Sequence, residues 1–231
     1  MSENATLAAR PPAADVAASL VPRLAAAERE HDRAGVLASD NLRLLADEGL
    51  LMINVPAEHG GFGETLGGTI ETLRVLAQGS PSTALMLAQH TNVLAHYLVD
   101  PVRAEQRAWA FGEVARGKIF GVANSEVGAG GNVKNSRAEI RDGRLFGVKS
   151  FCSMGTYADY FMAAARDASG AVEYYVVAND PAHVRVESAW DAIGMRSSES
   201  VSLRFDGAPV VAPLAYRGLL DGVNNRHWST L

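Results

Sequence analysis

The 231-residue sequence holds a single cysteine, Cys152. It therefore has no internal disulfide and no thiolate cluster for a structural zinc site, and a reducing compartment suits it. No run of about 18 apolar residues occurs, because the most apolar segment, around Leu85, is broken by Gln89, His90, Thr91 and Asn92. A membrane span is excluded on that ground. Met1 to Pro12 lacks the apolar stretch of a secretory signal and reads as a loose arm, which makes a cytoplasmic address the default. Charge of one sign is also scarce: 21 Lys and Arg stand against 26 Asp and Glu, a net charge of -5 with no like-charge block. Nucleic acid is not an expected partner. No unit of roughly 20 to 50 residues recurs, so repeat architectures are set aside.

Metal and nucleophile signatures are missing too. Of the six histidines, His31, His59, His90, His96, His183 and His227, only His90 and His96 are near neighbours. Their spacing puts them on opposite faces of a helix, unlike ligands at i and i+4. They read as surface or helix-end side chains. Cys152 has no nearby histidine and no serine lies in G-x-S-x-G, so hydrolase signatures are absent and the thiol reads as a small buried apolar group. Gly61-Phe62-Gly63-Glu64-Thr65-Leu66-Gly67 has one residue too many for a dinucleotide fingerprint and follows a loop.

What is present is enough apolar residue, 48% against 20% charged, for a substantial core. From Ala14 to about Gly117 the apolar spacing is helical. Leu20, Val21 and Leu24 mark a first helix. Ser39 or Asp40 caps a second, with its stripe at Leu42, Leu45 and Ala46 and its stop at Gly49. Glu58 to Gly63 is a loop; helices follow over Thr69 to Gln78, from Ser80 and Pro81 to Val99, and from Asp100-Pro101 to Arg116. After Gly117 the period falls to two. Strands are expected at Ile119 to Ala123, Arg137 to Ile140, Leu145 to Phe151, Tyr160 to Ala165, Val172 to Val177, Val184 to Val186, Val201 to Phe205 and Val210 to Val211. Asp142-Gly143 is the strongest hairpin signal. The fold class is α+β: a helical domain at 14–117, a small antiparallel β-barrel or sandwich at 118–213, an arm at 1–13 and the start of a further helical domain at 214–231.

Two segments carry chemistry. Ser125-Glu126-Val127-Gly128-Ala129-Gly130-Gly131-Asn132 follows the first strand, and its glycines let backbone N–H groups approach an anion. A glycine-rich corner between strands is the alternative. In Lys149-Ser150-Phe151-Cys152-Ser153-Met154-Gly155, a strand ends in an aromatic and a hydroxyl two apart, hence on one face. That pair suits a flat heteroaromatic ring hydrogen-bonded at its edge, while Phe151 as plain core is the competing reading.

These segments, with Leu44 to Leu50, Val55 to Gly63, Trp190 to Ser200 and Phe205 to Val210, resemble the acyl-CoA dehydrogenase family of flavoproteins over about Leu37 to Pro213. The resemblance implies a helical domain, a middle β domain and a C-terminal four-helix bundle, with FAD between the last two. It implies Val122, Ser125, Gly130, Phe151, Cys152 and Ser153 as cofactor-binding residues. Phe151 would lie against the isoalloxazine ring and Ser153 near flavin N5. Gly131 takes a substrate-binding position where the family has a serine, and Asn132 that of an aspartate. The expected reaction is α,β-dehydrogenation of an acyl-CoA by a glutamate base and hydride transfer to N5. No catalytic base is named, because the family base lies in the bundle and this sequence stops near the bundle's first helix. A partial sequence, or a subunit completed by another chain, is expected. An electron-transfer partner or flavin reductase and a homo-oligomer follow from the same resemblance. A flavin monooxygenase using reduced flavin and O2 is the alternative on the same fold, and a non-catalytic scaffold the third reading.

Overall fold

The computed structural model describes residues 10–98, 104–129 and 132–213. Helix α1 (Ala13–Ala34) buries Ala17, Leu20 and Leu24. Residues 10–13, expected in the loose arm, are docked instead. The Arg10 guanidinium lies 3.5 Å from the centre of the Phe62 ring and Ala13 N donates to Glu64 at 3.1 Å. Helix α2 (Ser39–Asp47) lacks the expected Ser39 or Asp40 cap; Ala38 stands at its N-terminus and gives its amide to Ser197 O, 3.1 Å away. A tertiary contact has replaced a local one. The Glu58 to Gly63 loop begins as a 3-10 turn, and Gly61 is obligatory there because an added Cβ would fall 1.9 Å from Val55 O. Helix α3 (Leu66–Leu76) starts before the predicted Thr69, since Thr65 Oγ1 accepts the Gly68 amide at 3.2 Å and carries the first turn through two glycines. Helix α4 (Pro81–Leu98) has the predicted opening, with Thr83 N donating to Ser80 Oγ at 3.1 Å. Helix α5 spans Ala104–Ala115; the Asp100-Pro101 signal lies outside the described residues.

The strands are β1 (Phe120–Val122), β2 (Glu139–Arg141), β3 (Arg144–Cys152), β4 (Tyr160–Arg166), β5 (Val172–Ala178), β6 (Val184–Ser188) and β7 (Val201–Pro213). Pairings β4–β2, β2–β3, β3–β7, β7–β5 and β5–β4 close a ring, so the sheet is a barrel. Most pairs are antiparallel as expected, but β1 and β2 both run parallel to β4. Asp142 and Gly143 turn β2 into β3 with φ of 50° and 69°, as a tight hairpin requires. The two strands expected at 201–205 and 210–211 are one. Gly207, at φ 82°, is the extra residue between Asp206, opposite Phe146, and Ala208, opposite Leu145. This bulge bends β7, letting it leave β6 and join β5.

Helices and barrel share one core. Trp109 of α5 packs edge-on against Phe120 and Tyr160, at 5.9 and 5.5 Å. His90 and His96 are buried in α4, which corrects their reading as surface or helix-end residues. The Phe120 amide donates to His90 Nδ1 at 3.0 Å, so the ring proton is on Nε2 and is given to Leu51 O at 2.9 Å. One neutral imidazole thus joins α4, the 3-10 turn at Leu50–Met52 and β1. Burial, opposed by the Leu51 bond, lowers the His90 pKa to about 4 from 6.5, and burial does the same for His96.

Above about pH 6.5 His90 is neutral in folded and unfolded chains; below it only the unfolded chain takes up the proton. Stability should therefore fall as pH drops from 6.5 towards 4, by about 1.4 kcal/mol per unit and on the order of 3 kcal/mol in all for His90. Urea unfolding at a series of pH values measures this. His90→Phe should flatten part of the slope and cost about 2–4 kcal/mol at pH 7 by orphaning Phe120 N and Leu51 O.

Candidate functional site

The two segments singled out by chemistry meet at the end of β3. Ser125 and Ser150 form an antiparallel bridge, the Ser150 amide donating to Ser125 O at 2.8 Å. What fastens the glycine-rich loop there is a buried ion pair. Lys149, 0% exposed, directs its ammonium at Glu126 Oε1 (2.6 Å), Ser136 Oγ (3.0 Å) and Ala164 O (2.5 Å). All three of its protons are used. Glu126 also accepts from Ser136 Oγ at 2.6 Å and from the amides of Arg137 and Ala138 at 2.9 and 3.1 Å. Burial opposes its ionisation, yet these donors outweigh burial and hold the carboxyl at about 2. Burial likewise pulls the Lys149 ammonium down, and the Glu126 carboxylate counters it.

Beyond Glu126 the loop turns at Gly128, φ 79°, and Asn135 Nδ2 donates to Ala129 O at 3.1 Å. Gly130 and Gly131, expected to meet cofactor and substrate, lie outside the described residues. Val122 is half-buried at the end of β1, and Ser125 is exposed.

Phe151 and Ser153 do not share a strand face. The register slips between Lys149 and Cys152, Phe151 takes φ 58°, and its side chain is 66% exposed. Ser153 lies past the end of β3, 3% exposed, with Oγ 2.8 Å from Ser200 Oγ. A bulge at a strand end breaks the alternation that a regular pleat guarantees. Cys152 is 0% exposed and burial pushes its thiol up to about 12. Its side chain is core, in keeping with the reading of the thiol as a small buried apolar group, which leaves its main chain for the site.

Trp190 is a further aromatic at this end of the barrel that the sequence pattern alone does not mark as a site residue. Its ring stands 6.2 Å from Phe151 at 85°, and its Nε1 donates to Met195 O at 3.0 Å. Ser150 Oγ and Ser197 Oγ are buried without a partner among the described atoms. Lys149 was also missed as the anchor. The signal was there: a lysine inside an apolar strand needs a buried counter-charge. Among the described residues these segments offer the exposed Phe151 and Ser125, buried hydroxyls and the turn at Gly128. A flat ring with polar edges fits that donor set.

A helical half leading into this barrel is the acyl-CoA dehydrogenase fold. Residues 10–118 match the family model described as acyl-CoA dehydrogenase, N-terminal domain. The chain carries that N-terminal domain and the acyl-CoA dehydrogenase fold. It is 33% identical over 216 residues to an L-evernosamine nitrososynthase of Micromonospora sp., covering 86% of this chain and 49% of that protein. It is 31% identical over 205 residues to a dibenzothiophene monooxygenase of Rhodococcus erythropolis, covering 84% and 49%. Among solved structures, FMN-bound TdsC from Paenibacillus sp. A11-2 superposes with TM-score 0.76 and 28% identity, covering 86% of this chain and 52% of that one. The chain spans about half the length of the curated relatives it matches.

Lys149→Met would strand the Glu126 carboxylate in the core, with an expected loss of about 3–5 kcal/mol by urea unfolding at pH 7. A loss below about 1 kcal/mol would contradict the buried-pair account. In the parent chain the Glu126 contribution is full above about pH 4.5 and is lost as pH falls towards 2.

Proposed function

We propose that this chain supplies one wall of a flavin site in an oxidoreductase that oxygenates a small molecule using reduced flavin and O2. The observation that supports the reading is the Ser125–Ser150 bridge, which joins the start of the glycine-rich segment to the end of β3, next in sequence to Phe151. Phe151 and Trp190 would pack on the ring system and keep water from it. Ser125, Ser153, the main chain around Val122 and Cys152, and the Gly130 turn would hold its polar edge and phosphate. Gly131 would face the substrate. When bound, the flavin supplies the electrons that activate O2 for transfer of one oxygen atom to the substrate. The sequence implies FAD; TdsC was solved with FMN, and both belong in the test.

Oxygenation is preferred over dehydrogenation because the relatives at 31–33% identity along 84–86% of the chain are named as nitrososynthase and monooxygenase. Acyl-CoA dehydrogenation is the second reading, favoured by the family model and by a Bacillus subtilis relative named a putative acyl-CoA dehydrogenase, 28% identical over 184 residues. A flavin reductase or electron-transfer partner, and a homo-oligomer, belong to the proposal.

Titration with FAD and FMN, followed by flavin fluorescence, is expected to give binding that weakens about tenfold in Phe151→Ala, the size of one aromatic stacking contact. With reduced flavin and O2, an aromatic or amine substrate should gain oxygen. Anaerobic bleaching of bound flavin by acyl-CoA would favour dehydrogenation instead, and a chain that takes up neither flavin sinks both readings.

A further inference from the structure

Five non-glycine residues among those described have positive φ. One, Asp142, is a hairpin turn residue. The other four, Phe151 (58°), Met154 (60°), Met195 (54°) and Glu199 (46°), fall in two segments far apart in sequence. Side chains tolerate that conformation only where their surroundings over-determine it, a pattern concentrated at ligand sites.

The two segments are laced together. Met154 N donates to Ser198 O at 2.9 Å and Gly155 N to Glu199 O at 3.2 Å. Thr156 gives both its amide, at 2.9 Å, and its hydroxyl, at 2.8 Å, to the Glu199 carboxylate. Ser153, Ser200 and Ser198 form a buried hydroxyl chain with links of 2.8 Å each. The outer side of 195–200 is tied to the helices. Arg196 N donates to Asp32 Oδ1 at 2.9 Å, Arg196 Nε to Asp32 O at 3.0 Å, and Ser197 O takes the Ala38 amide.

The hydroxyl chain has a consequence. Three hydroxyls carry three protons and two links use two of them. If Ser198 donates to Ser200 and Ser200 to Ser153, the spare proton is on Ser153 and is free to be donated. If the chain runs the other way, Ser153 has nothing to donate. The middle member decides.

We propose that Glu199 and Ser200 are positioning residues of the ligand wall. Glu199 clamps the main chain of the Phe151–Thr156 turn, and Ser200 directs the Ser153 proton outward. The clamp stands on geometry alone; the role of Ser200 rests on the flavin reading above.

Amide hydrogen exchange on the full chain tests the clamp without any ligand. In Glu199→Ala the amides of Met154, Gly155 and Thr156 should exchange about tenfold faster or more, while the Ser150 amide, held by Ser125 O, keeps its protection. Glu199→Gln, which keeps the shape and weakens the acceptor, should give a smaller change in the same three amides and serves if the alanine variant fails to fold. Unchanged exchange at those amides overturns the clamp. For Ser200, the visible spectrum and the affinity for FAD and FMN are read together. Ser200→Ala should shift the bound-flavin spectrum and weaken binding about tenfold, and Ser200→Thr, which restores a hydroxyl, should recover both. A variant indistinguishable from the parent overturns the Ser200 role. A parent chain that binds no flavin removes the flavin reading and that role with it, while the exchange result still decides the clamp.

Discussion

An ammonium group with no access to water must be neutralised and hydrogen-bonded where it sits, or the chain around it will not hold. Lys149 meets that demand inside the barrel by drawing in Glu126, Ser136 and the Ala164 carbonyl. The consequence reaches the surface. Glu126 is the second residue of the glycine-rich loop, and the residues after Lys149 are those that turn out of β3. One buried pair therefore fixes both halves of the candidate site against each other, and the Ser125–Ser150 bridge is its outward expression.

That arrangement relies on a closed sheet. In an open sheet the unpaired edges of β2, β4 and β5 would be free to slip or to pair with other chains. Ring closure through β4–β2 and β4–β5 removes that freedom. The helical half then braces the barrel at separate points. His90 ties α4 to β1, the Trp109 cluster packs α5 on β1 and β4, and Arg196 carries Asp32 of α1 to the far side of the Phe151 turn. A site on the barrel is thus positioned partly by residues of α1 that never approach it.

In this chain, two reactive side chains of the candidate site's segments are committed to the fold. The one acidic residue of its loop motif is committed to structure, and its thiol is sealed in the core. Beside them Phe151 and Ser125 are exposed. Relatives named nitrososynthase, dibenzothiophene monooxygenase and putative acyl-CoA dehydrogenase all match this chain, and the fold does not by itself choose among such reactions.

Much of the architecture was legible from local pattern. The switch from helical to alternating period after Gly117, the Ser80-Pro81 opening and the Asp142-Gly143 turn are effects of neighbours in sequence, and each formed as expected. Where a distant partner won, local signals failed: Ala38 took a carbonyl from Ser197 in place of a Ser39 cap, and the bulge at Gly207 fused two strands. The site divides the same way. The sequence by itself determined which residue types stand beside the strand ends, because propensity and spacing are short-range properties. Only the tertiary structure decided that Phe151 is exposed while Cys152 and Ser153 are buried, and that Lys149 and Glu126 are partners. Those outcomes depend on register and burial, which chain segments settle together once water has been excluded between them.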